Sequence, residues 1–564
     1  MNTLYYGDNL QVLRDSVASE SVDLVYLDPP FNSQATYNVL FKAPTGQKSE
    51  AQIEVFEDTW HWNDHAENAF DEVMKSGNSD VAEMLRAMRS FLKENDMMAY
   101  LTMMAIRLLE LHRVLKPTGS LYLHCDPTAS HYLKLLMDSV FGPKNFRSEI
   151  IWRRSSGHNK LSRQYGPIHD TILFFAKTDA AYFKPGERPL MRGYVREWFT
   201  EEDEHGAYRT NMLTGPGTRQ GDSGKPWHGF DPTTVGRHWA IPSTIAESLP
   251  PDAATWITQE KLEWLNDKGF IYIPKQGKGQ PKYKQYISSG TPYQDIWACQ
   301  PYTNDTLYGT DECIDEDVKW IGHEGEKLGY QTQKPEGLLA RVIESSSKEG
   351  DTVLDPFCGC GSTIHSAQKL KRNWIGIDIT HLAISLIEKR LKDAFPGITF
   401  EVHGTPTDID GARALAAQDK YQFQWWAVSL VDAVPYGGKK KGADSGIDGF
   451  IYFKPDGKIT EKVIVSVKGG ENVSVAMIRD LAHVVDREKA KIGLFITLAE
   501  PTKPMQTEAV KTGYFETPYG KYPKIQILTI AELFAGAKPN IPLIDPTGFK
   551  KAAKELTEKQ DELF

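Results

Sequence analysis

The sequence is poor in cysteine and lacks a long apolar run. Its five cysteines (Cys125, Cys299, Cys313, Cys358 and Cys360) do not show the paired spacing of zinc ligands. Their scarcity argues against a secreted scaffold held by disulfides, so a reducing cytoplasm is the expected location. No apolar run reaches about 18 residues, and no charged segment followed by an apolar one opens the chain, so neither a membrane span nor export is predicted.

An excess of positive charge is also absent. The chain has 65 Lys and Arg against 75 Asp and Glu, a formal net charge of −10. The molecule as a whole therefore shows no nucleic-acid signature, and any DNA-binding surface must be local. At 564 residues, with 40% hydrophobic and 25% charged residues, the composition fits a soluble globular protein of two or three domains.

Asp28-Pro29-Pro30-Phe31 directly follows the apolar run Val22–Leu27. The Val, Leu and Tyr residues of that run predict a buried strand, and two prolines cannot continue its hydrogen-bond ladder. A carboxylate, a rigid turn and an aromatic ring thus follow the carboxyl end of a strand, where open α/β sheets bind ligands. For this stretch taken alone, an Asp-Pro turn that only ends a strand is the plainer interpretation.

Residues 351–378 predict a nucleoside pocket. The sequence Asp355-Pro356-Phe357-Cys358-Gly359-Cys360-Gly361-Ser362-Thr363 lies between a predicted strand and a predicted helix, and Asp378 ends another apolar strand 23 residues after Asp355. Glycines let the backbone approach a ligand at a helix N-terminus, and an acid about 20 residues further on can accept hydrogen bonds from ribose hydroxyls. Because Gly-x-Gly also serves ordinary turns, the flanking strands and the spaced acid carry this prediction.

Together these stretches resemble the S-adenosylmethionine-dependent amino-methyltransferases of DNA, in the permuted class called beta. In that class Asp-Pro-Pro-Phe/Tyr comes first, a target-recognition region follows and the cofactor loop comes last, which is the order found here. Further matches are Tyr6-Gly7-Asp8-Asn9, residues 169–175 and Gln333-Lys334-Pro335-Glu336. The resemblance covers about residues 1–403.

The resemblance and the alternation of predicted strands and helices imply an α/β fold. We expect a doubly wound, Rossmann-like methyltransferase sheet with an inserted target-recognition region, plus a smaller α/β domain. The expected boundaries are 1–178 for the catalytic half, 179–330 for the target-recognition region, 331–403 for the cofactor-binding half, 404–420 for a linker, 421–540 for the C-terminal domain and 541–564 for a tail.

Four local expectations concern the first half of the chain. Strands at 3–6 and 22–27 would place Asp8 near Asp28 if they are neighbours in the sheet. Residues 32–80 lack a periodic pattern, so we expect a loop that acts as a lid over the target base. Residues 81–115 are expected to form a long helical region. A hydrogen-bonding pair of His124 and Asp126 is expected at the end of the next strand.

The resemblance also implies roles for individual residues. Asp28 and the Pro29 carbonyl would accept the two N–H groups of the target amine, and Phe31 would stack on the flipped-out base. The implied catalytic set is Asp28, Pro29, Pro30 and Phe31. The implied set for S-adenosylmethionine is Asp8, Asp355, Pro356, Phe357, Gly359, Gly361, Thr363 and Asp378. No metal is expected at this site, and Asp before Pro-Pro favours N6 of adenine over the alternative, N4 of cytosine.

Double-stranded DNA is the expected partner. The segment 153–163 contains Arg153, Arg154, Lys160 and Arg163 and no acid, so it can neutralise phosphates, although a solvated basic loop is the alternative. Residues that read the DNA sequence are expected within 180–330. The candidates there are Arg209, Arg219, Lys225, Trp227, Arg237, His238 and Trp239.

Residues 420–536 resemble the metal-dependent restriction-endonuclease fold, most closely its Mrr-like branch. The matching residues are Gly442-Ala443-Asp444-Ser445-Gly446-Ile447-Asp448-Gly449 and, in a later strand, Lys468. Asp448, Ser466 and Lys468 occupy the nuclease positions, but Ser466 is neutral where the family has Glu, Asp or Gln. Magnesium favours anionic oxygen ligands, so it is implied only if this domain is an active nuclease, with Asp444 as a candidate substitute ligand. We expect a domain that binds DNA or a partner and cuts poorly or not at all.

Two rival functions stay open at this point. One is a non-catalytic DNA-binding or an RNA-modifying protein of the same fold, and the intact Asp28-Pro29-Pro30-Phe31 and cofactor loop argue against loss of catalysis. The other is a single-chain restriction-modification enzyme that uses both domains. A homodimer and a subunit of a restriction or defence complex also stay open.

Overall fold

The computed structural model describes residues 2–30, 36–42, 48–57, 61–155, 165–275, 279–301, 313–321, 333–436, 446–455, 459–518 and 520–542. Phe31, Lys160, Arg163 and Asp444 lie outside the described residues, as do residues 543–564 of the expected tail. The chain divides into two compact units. The first comprises residues 1–185, 294–299 and 317–564, and the second comprises residues 186–293 and 300–316.

A nine-stranded sheet organises the first unit. Its strands in chain order are β1 (Thr3–Tyr6), β2 (Val22–Leu27), β3 (Leu115–Cys125), β4 (Phe146–Arg153), β5 (His169–Ala176), β6 (Ile296–Trp297), β7 (Thr352–Asp355), β8 (Asn373–Asp378) and β9 (Glu401–His403). Their spatial order is β6-β4-β5-β3-β2-β7-β8-β1-β9. β5 runs antiparallel to β3 and β4, whereas the other pairs are parallel.

Helices cover both faces of this sheet. They are α1 (Asn9–Ser16), α2 (Asp64–Lys75), α3 (Ser79–Leu92), α4 (Asp96–Val114), α5 (Pro127–Phe141), α6 (Glu336–Ser346), α7 (Ser362–Lys369) and α8 (His381–Ala394). Side chains of β2 contribute to two apolar cores, with Val25 and Leu27 in one and Leu24 and Tyr26 in the other. Every residue of β2 is buried, as expected for a strand covered on both faces. The predicted doubly wound methyltransferase-like sheet is thus confirmed.

The structure refines two local expectations. β1 and β2 are not neighbours, because β7 and β8 lie between them, so the condition stated for Asp8 and Asp28 is not met. The expected helical region 81–115 is present as two helices, separated at Lys93, whose φ is 63°, and α4 begins after Asn95 as its N-cap.

The described parts of residues 32–80 contain regular secondary structure. They form an antiparallel hairpin, Thr36–Lys42 with Lys48–Glu57, followed by α2. After the hairpin, the Trp62 indole donates to Glu67 over 3.1 Å, and the Arg89 guanidinium lies 4.6 Å from its ring centroid. Trp62 therefore anchors this segment to the helices. The predicted lid role stays a prediction.

The second unit has its own small sheet and core. Four strands pair antiparallel in the order Ile271–Tyr272, Lys282–Tyr286, Gly206–Met212 and Glu201–Asp203. The helices Arg192–Trp198 and Thr258–Asp267 belong to the same unit. Trp227 and Trp239 are buried in its core.

The C-terminal part of the first unit forms a five-stranded sheet. Its strands are β10 (Val434–Pro435), β11 (Gly449–Phe453), β12 (Glu461–Lys468), β13 (Ile492–Thr497) and β14 (Ile525–Thr529), in sequential order. Its helices are α9 (Ile409–Gln418), α10 (Lys420–Ser429), α11 (Val475–Arg487), α12 (Lys503–Lys511) and α13 (Ile530–Phe534). The segment expected to be a linker thus contains α9, whose Ala412 and Leu415 are buried in the same core as α10. Within the ranges given above, the chain has no helix that is both long and apolar enough to span a membrane.

Candidate active site

Four acidic residues meet at one edge of the main sheet. β1, β2, β7 and β8 are parallel, so their carboxyl ends lie at the same edge, where α/β sheets bind ligands. Asp355 and Asp378 end β7 and β8, Asp28 directly follows β2, and Asp8 follows β1 after Gly7. All four line one cavity of about 500 Å³, a size typical of small-molecule sites.

The two carboxylate oxygens of Asp28 have different surroundings. Oδ2 accepts a hydrogen bond from Lys334 Nζ, and both side chains are largely buried. Oδ1 is buried and has no hydrogen-bond partner among the described residues. A buried acceptor without a donor costs about 1–3 kcal/mol, so a ligand that brings an N–H group to Oδ1 would recover this cost. Pro29 and Pro30 line the same cavity.

Lys334 had no assigned role in the sequence analysis. It belongs to Gln333-Lys334-Pro335-Glu336, and Pro335 is the N-cap residue of α6. Only 8% of Lys334 is exposed, and burial of an ammonium group requires a counter-charge, which Asp28 supplies. The motif gave the signal, but the partner lies 306 positions away in the chain.

The glycine loop is held by the two acids that flank it. Asp355 accepts a hydrogen bond from Phe357 N over 3.0 Å, and Asp378 accepts one from Gly359 N over 2.9 Å. Gly361 has φ of 75°, and a Cβ there would lie 2.6 Å from Ile387 Cγ1 on α8. Any larger residue would therefore push the loop off α8. Pro356 and Thr363 also line the cavity.

Burial raises the pKa of both flanking acids. The pKa of Asp355 rises to about 7 because the carboxyl is buried, and the charges of Asp28 and Asp378 add to the effect. Burial raises the pKa of Asp378 to about 6, although Thr380 and Gly359 donate hydrogen bonds that oppose this. A cation bound beside Asp355 and Asp378 would favour their ionised forms and so lower both pKa values.

Asp8 lines the cavity and also forms hydrogen bonds within the protein. Its Oδ1 caps α1 through Leu10 N at 2.9 Å, and its Oδ2 accepts from Arg107 over 2.8 Å. Arg107 also donates to Asn9 over 2.6 Å, and Asn9 donates to the Pro356 carbonyl over 2.8 Å. Asp8 is thus the N-cap of the first helix, and its contact with the cofactor stays a prediction. Arg107, which lines the cavity from α4, was missed because only a helical period marked its region.

A buried hydrogen-bonded chain extends from the cavity into the sheet. Tyr26 lines the cavity, its hydroxyl bonds His124 Nδ1 over 2.8 Å, and His124 Nε2 bonds Asp170 over 3.1 Å. The expected His124–Asp126 pair was wrong, since Asp126 instead caps α5 through Thr128 N. Burial raises the pKa of Tyr26 well above its ordinary value, with the Asp28 charge as the next cause.

The described part of the basic segment has protein partners. Arg154 Nε lies 3.2 Å from buried Asp170, and Arg153 donates to the Cys299 carbonyl over 3.3 Å. The Arg153 guanidinium also lies 5.2 Å from the Trp320 ring centroid. Their DNA-binding role stays a prediction, as does that of Lys160 and Arg163, which are outside the described residues.

The candidate residues for reading the DNA sequence fall into three groups. Trp227, Trp239 and His238 are buried, and Arg237 donates to Thr214, so these residues support the second unit itself. Arg219 and Lys225 are exposed. Arg209 lies 5.5–5.9 Å from the ring centroids of three aromatic residues, Tyr194, Trp198 and Phe199.

Of the three nuclease-like positions, Asp448 has hydrogen-bond partners within the protein. Asp448 is buried and accepts hydrogen bonds from Val467 N over 2.5 Å and from the Gln424 amide. Ser466 is buried in β12, and Lys468 ends that strand. Across the described ranges, no group of three or more His, Cys, Asp or Glu side chains is placed to hold a metal ion.

A mainly parallel sheet with a glycine loop and acids around a cavity at its carboxyl edge defines a nucleoside-binding α/β protein. A family model described as DNA methylase, of the N6/N4 methyltransferases, matches residues 22–389. The chain belongs to this family. A second model, NACHT-associated inactive restriction endonuclease 1, matches residues 428–534.

Individual relatives match parts of the chain. The type II methyltransferase M.EcaI of Enterobacter cloacae is 30% identical over 52% of this chain and 57% of its own length. The type III restriction-modification enzyme StyLTI Mod subunit of Salmonella typhimurium is 25% identical over 65% of this chain and 50% of its own length. The chain thus spans about half the length of these relatives. The solved complex of M1.HpyAVI with SAM is 13% identical, with a TM-score of 0.28, over 69% of this chain and 100% of that one.

Proposed function

We propose that the protein is a DNA methyltransferase that moves a methyl group from S-adenosylmethionine to N6 of adenine in a flipped-out base. The observation that carries this proposal is the pair of oxygens of Asp28. Oδ2 is anchored by Lys334, and Oδ1 is buried without a described donor. Asp28 lines the same cavity as the glycine loop. Family membership supports the same conclusion.

The chemistry requires activation of a weak nucleophile, because the lone pair of an exocyclic amine is delocalised into its ring. Asp28 Oδ1 and the Pro29 carbonyl accept the two N–H groups, which favours a pyramidal nitrogen with an available lone pair. S-adenosylmethionine, when bound, supplies an electrophilic methyl group on a sulfonium. As the nitrogen gains positive charge, the Asp28 carboxylate stabilises it, and the surplus amine proton leaves along the hydrogen bond to Oδ1. Lys334 holds the carboxylate in this orientation.

The remaining cavity residues suit the methyl donor. Asp378 would accept hydrogen bonds from ribose hydroxyls, and the loop with Gly359 and Gly361 would approach the methionine part. Ile379, which is 59% exposed at the cavity, would offer an apolar surface to the adenine ring. The carboxylate of Asp355 would balance the positive charge of the methyl donor. Asp8 would either contact this ligand directly or act on it through Arg107.

The choice of adenine rests on Asp28 itself. Asp rather than Ser before Pro-Pro favours adenine N6 in the resembled families, and cytosine N4 is the alternative because both bases present an exocyclic amine. Double-stranded DNA would be bound by the second unit and the segment 153–163. The hydrogen bonds that occupy Asp448 support a C-terminal domain that does not cleave DNA.

The test is direct. The purified protein is incubated with S-adenosylmethionine labelled in the methyl group and with duplex DNA of mixed sequence, with single-stranded RNA as a parallel substrate. The nucleic acid is then digested and the labelled nucleoside identified. N6-methyladenine from DNA supports the proposal, N4-methylcytosine selects the alternative, and label in RNA alone would overturn it.

A further inference from the structure

The cavity is not lined by the methyltransferase half alone. Gln418, Asp419 and Gln422 also line it, and they lie at the junction of α9 and α10. The DNA methylase match ends at residue 389, so these three residues lie outside the matched part of the chain. They belong to the helical pair that leads into the C-terminal domain.

This helical pair is fixed against the cofactor side of the sheet. The backbone N–H of His381, the first residue of α8, donates to Gln422 Oε1 over 3.1 Å. The His381 ring stacks on Tyr6 with 3.6 Å between ring centroids, and Tyr6 packs against the apolar core of the helical pair. The contact thus lies directly after the turn of Asp378, Ile379 and Thr380.

Asp419 has one oxygen engaged by its own helix. Oδ1 accepts from Tyr421 N over 2.8 Å and from Gln422 N over 3.1 Å, which caps α10. No hydrogen bond to Oδ2 is found in the described part of the chain, and the residue is half-buried at the cavity wall. Tyr6, Asp378 and Asp419 line the same cavity, where burial and then the charges of Asp419 and Asp378 raise the pKa of Tyr6 to about 12.

A carboxylate can only accept hydrogen bonds, so its ligand must offer a donor. On the adenosine part of the methyl donor, the ribose hydroxyls are assigned to Asp378, and adenine offers one further donor, its exocyclic amine. We propose that Asp419 accepts a hydrogen bond from this amine, so that the helices leading into the C-terminal domain complete the adenine end of the cofactor pocket. This inference rests on the proposed function.

The experiment measures dissociation constants by calorimetry with the full-length protein. The ligands are S-adenosylhomocysteine and S-inosylhomocysteine, in which a carbonyl oxygen replaces the amine. Wild type should prefer the adenine ligand. Asp419→Asn keeps a good capping side chain but presents an amide N–H to the cavity. It should bind S-adenosylhomocysteine about tenfold or more weakly, as expected for a lost hydrogen bond to a charged group, and should lose the preference for adenine.

Asp408→Asn is the matched control. Asp408 caps α9 through Gly411 N over 2.7 Å and does not line the cavity, so both dissociation constants should stay at the wild-type values. Equal weakening for both ligands in Asp419→Asn, or no change for either, would overturn the inference while leaving the proposed function intact. Failure of the wild type to bind S-adenosylhomocysteine would overturn both.

Discussion

Lys334 Nζ donates to Asp28 Oδ2 across 306 positions of the chain, and this leaves Oδ1 as the one oxygen of Asp28 that faces no described donor. The pair joins the catalytic half to the half that carries the glycine loop. In the proposed function it orients a carboxylate that would accept a hydrogen bond from the target amine. The first two predictions follow from this relationship.

Asp28→Ala should reduce methyl transfer by at least about 10²-fold, the usual contribution of a positioned acid or base. Binding of S-adenosylmethionine should survive, because Asp28 is assigned to the target amine. The measurement pairs a labelled methyl-transfer assay with calorimetry. Asp126→Asn is the control, since Asp126 follows β3 but caps α5 and does not line the cavity. Substantial transfer by a folded Asp28→Ala protein would contradict the mechanism.

Lys334→Met should destabilise the protein by about 3–5 kcal/mol, because it leaves the Asp28 carboxylate buried without its counter-charge. Asp28→Asn combined with Lys334→Met should recover much of this loss, since the charge itself is removed. Denaturant unfolding of wild type, both single variants and the double variant completes the cycle. Additive losses would show that the two side chains do not act as a pair.

Cofactor affinity should depend on pH. Burial raises the pKa of Asp355 to about 7 and that of Asp378 to about 6 in the ligand-free protein. A cation favours the ionised carboxylates, so binding releases protons, and affinity should rise between about pH 5.5 and 7.5 and level off above about pH 8. Calorimetry in buffers of different ionisation enthalpy measures the released protons. Asp355→Asn, which retains an acceptor for Phe357 N, should release fewer, and a pH-independent affinity in wild type would contradict the assignment.

The same shifts fix the sign of the stability change. The unfolded chain releases these protons near pH 4, whereas the folded protein holds them to about pH 6 for Asp378 and about pH 7 for Asp355. Over that interval the folded state binds more protons than the unfolded state. The ligand-free protein should therefore lose stability as the pH rises from about 4 to 7, and the methyl donor should reduce this loss.

Local sequence patterns were sufficient where one segment carries its own signal. β2 and the turn at Asp28, the glycine loop and the spacing to Asp378 all follow from apolar runs, prolines and glycines within short windows. Partners distant in the chain could not be predicted in this way. Lys334 with Asp28, Arg107 with Asp8 and Gln422 with His381 each need the folded sheet to bring them together.

The order of the strands in the sheet also depends on partners that are distant in the chain, so it could not be predicted from local patterns. The periodicity of β1 and β2 is clear, but nothing in either segment indicates that β7 and β8 pair between them. The segment 404–420 was interpreted from its Gly, Pro and Asp content as a linker. Ala412 and Leu415 are nevertheless buried, because α10 provides the apolar surface that a short segment alone does not reveal.

Phosphate binding by the basic segment should rest on Lys160 and Arg163. Lys160→Gln and Arg163→Gln should each weaken binding to all duplexes. Each should also reduce the salt slope, the slope of log affinity against log salt concentration, by about 1. Arg154→Gln should instead lower stability, because it removes the cation beside buried Asp170. Binding is measured over a range of salt concentrations, with thermal unfolding as the second measurement. Salt slopes that stay at the wild-type value in both Lys160→Gln and Arg163→Gln would show that the segment is a solvated loop.

The C-terminal domain should not cleave DNA with magnesium or manganese, and neither ion should raise its unfolding temperature. Asp448 already accepts hydrogen bonds from Val467 N and Gln424, and Ser466 offers no anionic oxygen. Asp448→Ala should cost about 1–3 kcal/mol by leaving a buried donor unpaired, whereas Asp448→Asn, which keeps an acceptor, should cost less. Both variants should methylate DNA as wild type does. Unmethylated DNA cut by the wild type, with cleavage lost in both Asp448→Asn and Lys468→Ala, would instead make the chain a combined methylase and nuclease.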